Sequence, residues 1–132
     1  MSWRLLSKLA GRMAAVLLVA GAALHATGLP LVRAGAAEVS NGFLAATLEP
    51  IWMFASFHWL AFGLAAAWLA GRGALFDRIM LAGIGAFILI DTGQMIHALG
   101  GFIGTIVLGV SGLLCVLSAG LGKPERDAAE LS

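Results

Sequence analysis

Charged residues are scarce in this sequence of 132 residues: only 11% are Asp, Glu, Lys or Arg, whereas 61% are hydrophobic. Soluble globular domains contain about 25% charged and about 45–50% apolar residues. This deficit excludes an ordinary soluble domain. The formal net charge of +1 also provides no basic patch for a nucleic-acid partner. We therefore predict an integral membrane protein whose first partner is the lipid bilayer.

Cysteine and catalytic motifs are scarce as well. The single cysteine, Cys115, excludes an internal disulfide and any metal site built from several cysteines. The sequence also lacks a nucleophile–base motif, a phosphate-binding glycine loop next to a lysine, and paired carboxylates. An enzymatic activity therefore has little support from the sequence.

Long uncharged runs are what the sequence has instead, and a helix needs about 20 apolar residues to cross a bilayer. Residues 13–32 and 50–71 supply one run each, and residues 79–122, in which Asp91 is the only charge, are long enough for two. We therefore predict an all-α, integral membrane four-helix bundle that forms a single domain over residues 1–132. The predicted segments are a first span at 9–29, an external loop at 30–49, a second span at 50–71, a third at 76–99, a fourth at 101–122 and a cytoplasmic tail at 123–132.

Glycine and proline mark the ends of these spans. Gly28 and Pro30 are predicted to stop the first helix, and Gly100 with its neighbour Gly101 to form the turn before the fourth. Pro50 is predicted in the first turn of the second helix, where a missing N–H costs nothing. The apolar segment 30–49 is expected to be an interfacial connector or a lid over the end of the bundle, and Asn41 is a candidate cap for a short helix within it.

Basic residues predict the orientation, because loops on the cytoplasmic side of a membrane are enriched in Lys and Arg. Seven of the eight basic residues fall on one predicted side, and only Arg33 falls on the other. The sequence thus predicts a multi-pass protein of the cell membrane with both termini in the cytoplasm. A signal peptide ending at Ala34-Gly35-Ala36 is a weaker interpretation, because this site lies far beyond the apolar core of the segment. The seven basic residues on the predicted cytoplasmic side are Arg4, Lys8, Arg12, Arg72, Arg78, Lys123 and Arg126.

One octapeptide pattern occurs twice, at residues 21–28 and 93–100. Both copies have Gly at the first position, His at the fifth, Ala at the sixth and Gly at the eighth. Aligning residues 9–28 with residues 81–100, without a gap, gives nine identities. On a helix with about 100° per residue, most shared residues lie on the face of His25 in the first copy and of His97 in the second. We predict that helices 1–2 and 3–4 are parallel repeats and that helices 1 and 3 use this face alike.

Polar residues inside the predicted spans are functional candidates, because ionisable groups are costly there. His58 lies eight residues into the second span and Asp91 eight residues before the end of the third, so both are about 12 Å deep. This shared depth makes His58 a candidate partner of Asp91, and Ser56 and Thr92 are the other candidates. The complete set is His25, His58, Asp91, Gln94 and His97, of which the last three form one stripe on helix 3.

The first functional hypothesis is a ligand-binding or transport site in the outer half of the bundle. In this hypothesis His58, Asp91 and Gln94 bind the ligand or exchange protons, and His25 and His97 line the entrance. A transport path through so small a bundle would require a homo-oligomer. Trp52, by contrast, is expected to lie in the aromatic belt at the membrane surface and to need no functional explanation.

Two alternatives remain open at this stage. The first is a membrane redox protein with haem b between His25 and His97, since neutral imidazoles are suitable axial ligands and the flanking glycines leave space. A metal site that adds His58 and Asp91 is a variant of it. The second is a structural or accessory subunit of a larger membrane complex, in which these polar side chains form interfacial contacts or interhelical hydrogen bonds only.

Overall fold

The structure is a computed structural model, and it describes residues 2–122. This part of the chain is helical and contains no strand. Four of its helices are long and apolar enough to cross a membrane, which confirms the predicted all-α class and the predicted number of membrane-length helices. The predicted tail at 123–132, with Lys123 and Arg126, lies outside the described residues. The helices are α1 (Trp3–Ala26), α2 (Leu29–Ala37), α3 (Gly42–Leu69), α4 (Leu75–Leu99) and α5 (Ile103–Leu121).

The first helix begins and ends at capping residues that the sequence makes recognisable. The Ser2 side chain accepts a hydrogen bond from the Leu5 amide at the start of α1, as expected for an N-cap. At the other end, Gly28 separates α1 from α2, and Pro30 lies in the first turn of α2, where proline is well tolerated. The predicted stop at Gly28 is therefore a break between two helices.

Helix α3 starts eight residues earlier than predicted, at Gly42 instead of Pro50. The reason is the cap: the Asn41 side chain accepts hydrogen bonds from the amides of Phe43 and Leu44. Pro50 then lies within the helix, where it removes one backbone donor without ending the helix. The predicted loop at 30–49 is consequently mostly helical, and we refer to the end of the bundle that carries it as the α2 end.

The four long helices form a ring in which α1 packs against α3 and α5, and α4 packs mainly against α5. Close approach of α1 and α5 is fixed by reciprocal hydrogen bonds, in which each hydroxyl of Ser7 and Ser118 donates to the other residue's carbonyl at 2.8 and 2.7 Å. Contacts between α3 and α4 are sparse, and α1 and α4 lie across the bundle from each other. The site described below lies at this sparse α3–α4 contact and at the neighbouring α2 end.

The face that the two sequence copies share is used differently in α1 and α4, contrary to the prediction. In α1 the first part of this face is buried and the rest is half-buried, and a Cβ at Gly11 would lie only 2.7 Å from the Cβ of Ala70. In α4 the equivalent Gly83 and Gly93 are exposed, and a Cβ on either would meet nothing within 4 Å. The two faces are thus similar in sequence but differ in their surroundings within one chain.

Candidate functional site

Of the three candidate partners of Asp91, His58 contacts its carboxylate. His58 Nε2 lies 2.7 Å from Asp91 Oδ2, and the two side chains are only 18% and 21% exposed. The indole N–H of Trp59 donates to the same carboxylate oxygen at 3.3 Å. The other proposed partners are engaged elsewhere: the Ser56 hydroxyl contacts His25, and the Thr92 hydroxyl donates to the Ile88 carbonyl of its own helix. Asp91 therefore binds α4 to α3 through two residues of α3.

The hydrogen bonds of His58 determine how many protons the pair holds. His58 Nδ1 lies 3.2 Å from the Phe54 carbonyl, which can only accept, so Nδ1 carries a hydrogen. The short contact between Nε2 and Oδ2 requires one more hydrogen, which resides on either atom. The pair is then an imidazolium with a carboxylate or a neutral imidazole with a carboxylic acid. Both forms have no net charge, and they differ only by the position of one shared proton.

Aromatic rings surround the His58 imidazole. Phe54, Phe62 and Phe87 lie with their ring centroids 5.5, 5.6 and 6.0 Å from that of His58. The indole of Trp59 lies at 5.8 Å and meets the imidazole edge-on. The imidazole is thus surrounded mainly by aromatic side chains of α3 and α4.

His25 is held in one orientation by residues of α3. Its Nδ1 lies 2.8 Å from the hydroxyl of Ser56, and its ring stacks on Trp52 with centroids 3.7 Å apart. The Trp52 indole also donates to the His25 carbonyl at 2.9 Å, which satisfies a backbone group near the end of α1. Trp52 therefore belongs to the surroundings of His25, a contact that the expected place in the aromatic belt did not include. The signal missed in the sequence was the heptad spacing of Trp52 and Trp59, which places both on the α3 face beside His25.

A cavity of about 270 Å³ opens beside His25 at the α2 end of the bundle. Its wall is mostly apolar and aromatic and contains no charged side chain. Trp59 belongs to this wall and also donates to Asp91, so one residue connects the cavity with the His58–Asp91 pair. No residue of the predicted lid at 30–49 lines the cavity. The lining residues are Gly21, Leu24, His25, Thr27, Gly28, Trp52, Trp59, Met95, Phe102, Ile103, Gly104, Val107 and Leu108.

Glycines bring two aromatic rings into the wall. A Cβ at Gly28 would lie 2.6 Å from the Trp52 ring, and one at Gly104 would lie 2.5 Å from the Phe102 ring. Any larger residue would displace these rings. At Gly21 a Cβ would meet only Val107, at 4.0 Å, so this position leaves open space towards the cavity.

Gln94 and His97 are not part of this site. Both are exposed on α4, neither lines the cavity, and neither has a hydrogen-bond partner within residues 2–122. Of the predicted stripe on this helix, only Asp91 is engaged. The structure therefore does not bring Gln94 and His97 together with His58 and Asp91.

The residues do not fit haem b or the predicted metal site. His97 is exposed on α4, across the bundle from His25, so the two imidazoles do not face each other as axial ligands. Gly28, three residues after His25, accommodates the Trp52 ring instead of a macrocycle. Across residues 2–122, no three His, Cys, Asp or Glu side chains are grouped to hold a metal ion.

Comparisons of the chain with protein-family models, with curated proteins and with solved structures find no match. The site must therefore be interpreted from its own chemistry.

Proposed function

We propose that this protein binds a small molecule within a membrane, in the cavity beside His25, and that the His58–Asp91 pair exchanges a proton next to the bound molecule. The observation that supports this function is the position of Trp59. Its ring forms part of the cavity wall, and its N–H donates to Asp91. A molecule that contacts the ring is thereby coupled to the carboxylate that shares a proton with His58.

The proposal includes an orientation and a location. Basic residues in the first half of α1, and at or near the turn between α3 and α4, support a multi-pass protein of the cell membrane with both termini in the cytoplasm. The α2 end then faces outwards, and the cavity lies in the outer half of the bundle. A ligand reaches it from the outer leaflet or from outside the cell, and this position is compatible with binding alone or with one stage of transport.

Homo-oligomers are the second part of the proposal. The two sequence copies support parallel repeats, in which α1 with α3 corresponds to α4 with α5. On α1 the shared residues Ala10, Gly11 and Ala14 are buried, whereas Gly83, Gly93 and His97 on the corresponding face of α4 are exposed. We propose that a second copy of the chain covers this face of α4, because small residues permit close helix packing and polar ones then find partners. A larger membrane partner on the same face is the alternative outcome of a test.

Binding can be tested with naphthalene as an apolar probe and with a variant that fills the cavity. We expect saturable binding by calorimetry in lipid nanodiscs, with empty nanodiscs as the blank. Gly21→Leu should abolish binding, because its side chain enters the open space of the cavity. Gly93→Leu, the equivalent position in the second copy, should leave binding unchanged. Binding that is equal in all three proteins would refute the cavity as the site.

The proton-exchanging role of the pair has a separate readout. We expect naphthalene binding to alter the infrared bands of the Asp91 carboxyl group, assigned by their disappearance in Asp91→Asn. Ser111→Ala, a change on α5 away from the pair, should retain these bands. If binding occurs without any change in the Asp91 bands, the cavity remains a binding site but its coupling to the pair is disproved.

A further inference from the structure

The hydrogen bonds around His25 determine which tautomer it adopts. Ser56 is buried, and the only hydrogen-bond partner of its hydroxyl within residues 2–122 is His25 Nδ1. A buried hydroxyl hydrogen needs an acceptor, so the hydroxyl donates and Nδ1 accepts. In a neutral imidazole the other nitrogen then carries the hydrogen. His25 Nε2 is therefore a hydrogen-bond donor.

This donor is a polar side-chain group of the cavity wall that has no hydrogen-bond partner within residues 2–122. The indole N–H groups of Trp52 and Trp59 donate to the His25 carbonyl and to Asp91, and the Thr27 hydroxyl donates to the Leu24 carbonyl. Nε2 of His25 has no partner in the described part of the chain and is not fully buried. A ligand in the cavity therefore meets one free side-chain donor and no charge.

The start of α5 adds backbone donors of the same kind. Ile103 and Gly104 line the cavity and form the first turn of α5, where amide groups have no acceptor within the helix. No other backbone bond in residues 2–122 engages these two amides. The positive end of the helix dipole also lies here, so the wall favours a group with partial negative charge.

The size and the walls of the cavity restrict the rest of the ligand. A cavity of about 150 Å³ in another protein binds benzene, so the 270 Å³ here correspond to a molecule of about two fused rings. Trp52, Trp59 and Phe102 supply aromatic surfaces for offset stacking or edge contacts. Leu24 and Ile103 are lining residues that are also 68% and 70% exposed, so the cavity has an opening between α1 and α5.

We infer that the cavity binds a neutral, flat, two-ring aromatic molecule that carries a carbonyl acceptor for the N–H of His25. The inference rests on the proposed binding function and defines its ligand class. The carbonyl compound is either free or the headgroup of a lipid, whose chain would leave through the opening beside Leu24 and Ile103.

Matched probes test this inference on the wild-type protein in nanodiscs. Chromone has two fused rings and a carbonyl group, naphthalene has the rings alone, indole offers a donor, and decanol is an aliphatic chain with a hydroxyl group. After subtraction of empty nanodiscs, we expect chromone to bind about tenfold more tightly than naphthalene or indole, since a free buried donor gains a partner. Equal affinities of chromone and naphthalene, or tighter binding of indole or decanol, would refute the ligand class while the cavity remains a binding site.

Two variants locate the donor. His25→Phe retains a ring that can stack on Trp52 but removes the N–H, so it should reduce chromone affinity about tenfold and leave naphthalene affinity unchanged. Gly21→Leu should abolish binding of every probe, and its failure to do so would refute the proposed function itself. A His25→Phe protein that retains the preference for chromone would refute the role of His25.

A further probe distinguishes the two sources of the carbonyl compound. 2-Nonylchromone carries an alkyl chain on the same two rings. If the opening accommodates a lipid chain, it should bind with at least the affinity of chromone after correction for partition into empty nanodiscs, which supports a lipid headgroup. If the chain prevents binding while chromone still binds, a free molecule is the ligand, and the inferred carbonyl class is equally supported.

Discussion

At the scale of single residues, Asp91 and Trp59 determine what the site can do. Asp91 Oδ2 accepts from the Trp59 indole and shares a proton with His58. A buried pair of this kind contributes little net stability when formed, but removing one partner leaves the other uncompensated. Trp59 also contacts His25 edge-on, with centroids 4.7 Å apart. The cavity and the pair are thus one continuous arrangement of side chains.

Two substitutions of Asp91 should show how much its hydrogen bonds contribute to the stability of the protein. His58 and Trp59 both contact Oδ2, and in Asp91→Asn this atom is either an accepting oxygen or a donating nitrogen. Asp91→Asn therefore keeps one of the two hydrogen bonds and should lower the free energy of unfolding by less than Asp91→Leu does. Asp91→Leu loses both hydrogen bonds and should lower the free energy of unfolding by about 2 kcal/mol. Unfolding in mixed detergent micelles measures both changes. Equal destabilisation by the two substitutions would contradict the proposed hydrogen-bond geometry.

At the scale of elements, the start of α3 shows how one side chain changes a helix boundary. The helix runs for 28 residues, about 42 Å at about 1.5 Å per residue, so it exceeds the about 30 Å of a hydrocarbon core. Its first two turns pair with α2, and Arg33 Nε donates to Glu49 Oε2 at 2.9 Å across this contact. That ion pair is exposed and contributes little energy. The Asn41 cap is the stronger local determinant.

Removal of this cap should loosen the first two turns of α3 without affecting the bundle. Asn41→Ala should cost about 1 kcal/mol of helix stability, because the amides of Phe43 and Leu44 lose their acceptor. Hydrogen exchange should therefore accelerate at residues 43–49 and stay unchanged at residues 56–66. Asn41→Ser, which retains a capping oxygen, is the control. Unaltered exchange in Asn41→Ala would show that contacts with α2 hold these turns.

At the scale of the whole molecule, the ring order of the helices decides which residues meet. Because α1 lies between α3 and α5, His25 contacts Trp52 and Ser56 and not His97. Because α4 borders α3 at a sparse contact, Asp91 of α4 reaches His58 and Trp59 of α3. The remaining shared face of α4 is exposed, which is the basis for the proposed homo-oligomer.

Leucine substitutions at the two equivalent glycines should have opposite effects. Gly93→Leu should shift the protein from oligomer to monomer by disturbing the exposed face of α4, whereas Gly21→Leu should leave the oligomer intact. Light scattering on the purified protein in detergent measures the mass of both variants beside the wild type. A monomeric wild type, or a Gly93→Leu protein with an unchanged oligomer, would contradict the homo-oligomer.

The sequence by itself determined the all-α class and the four membrane-length helices, and it named His58 as one of three candidate partners of Asp91. Each depends on quantities that are set by a short stretch of the chain: the length of an uncharged run, the spacing of polar residues and their depth along a helix. The break at Gly28 and the turn at Gly100, whose φ is 79°, are local in the same sense.

Only the tertiary structure decided how the helices are arranged around one another, and with that the composition of the site. The octapeptide repeat made His25 and His97 look equivalent, yet one lines a cavity and the other is exposed, because burial depends on neighbouring helices that periodicity does not specify. Trp59 contributes a ring to the cavity and a hydrogen bond to Asp91 only because α3 lies beside both α1 and α4. The packing of distant segments, and not their local pattern, assembled the site.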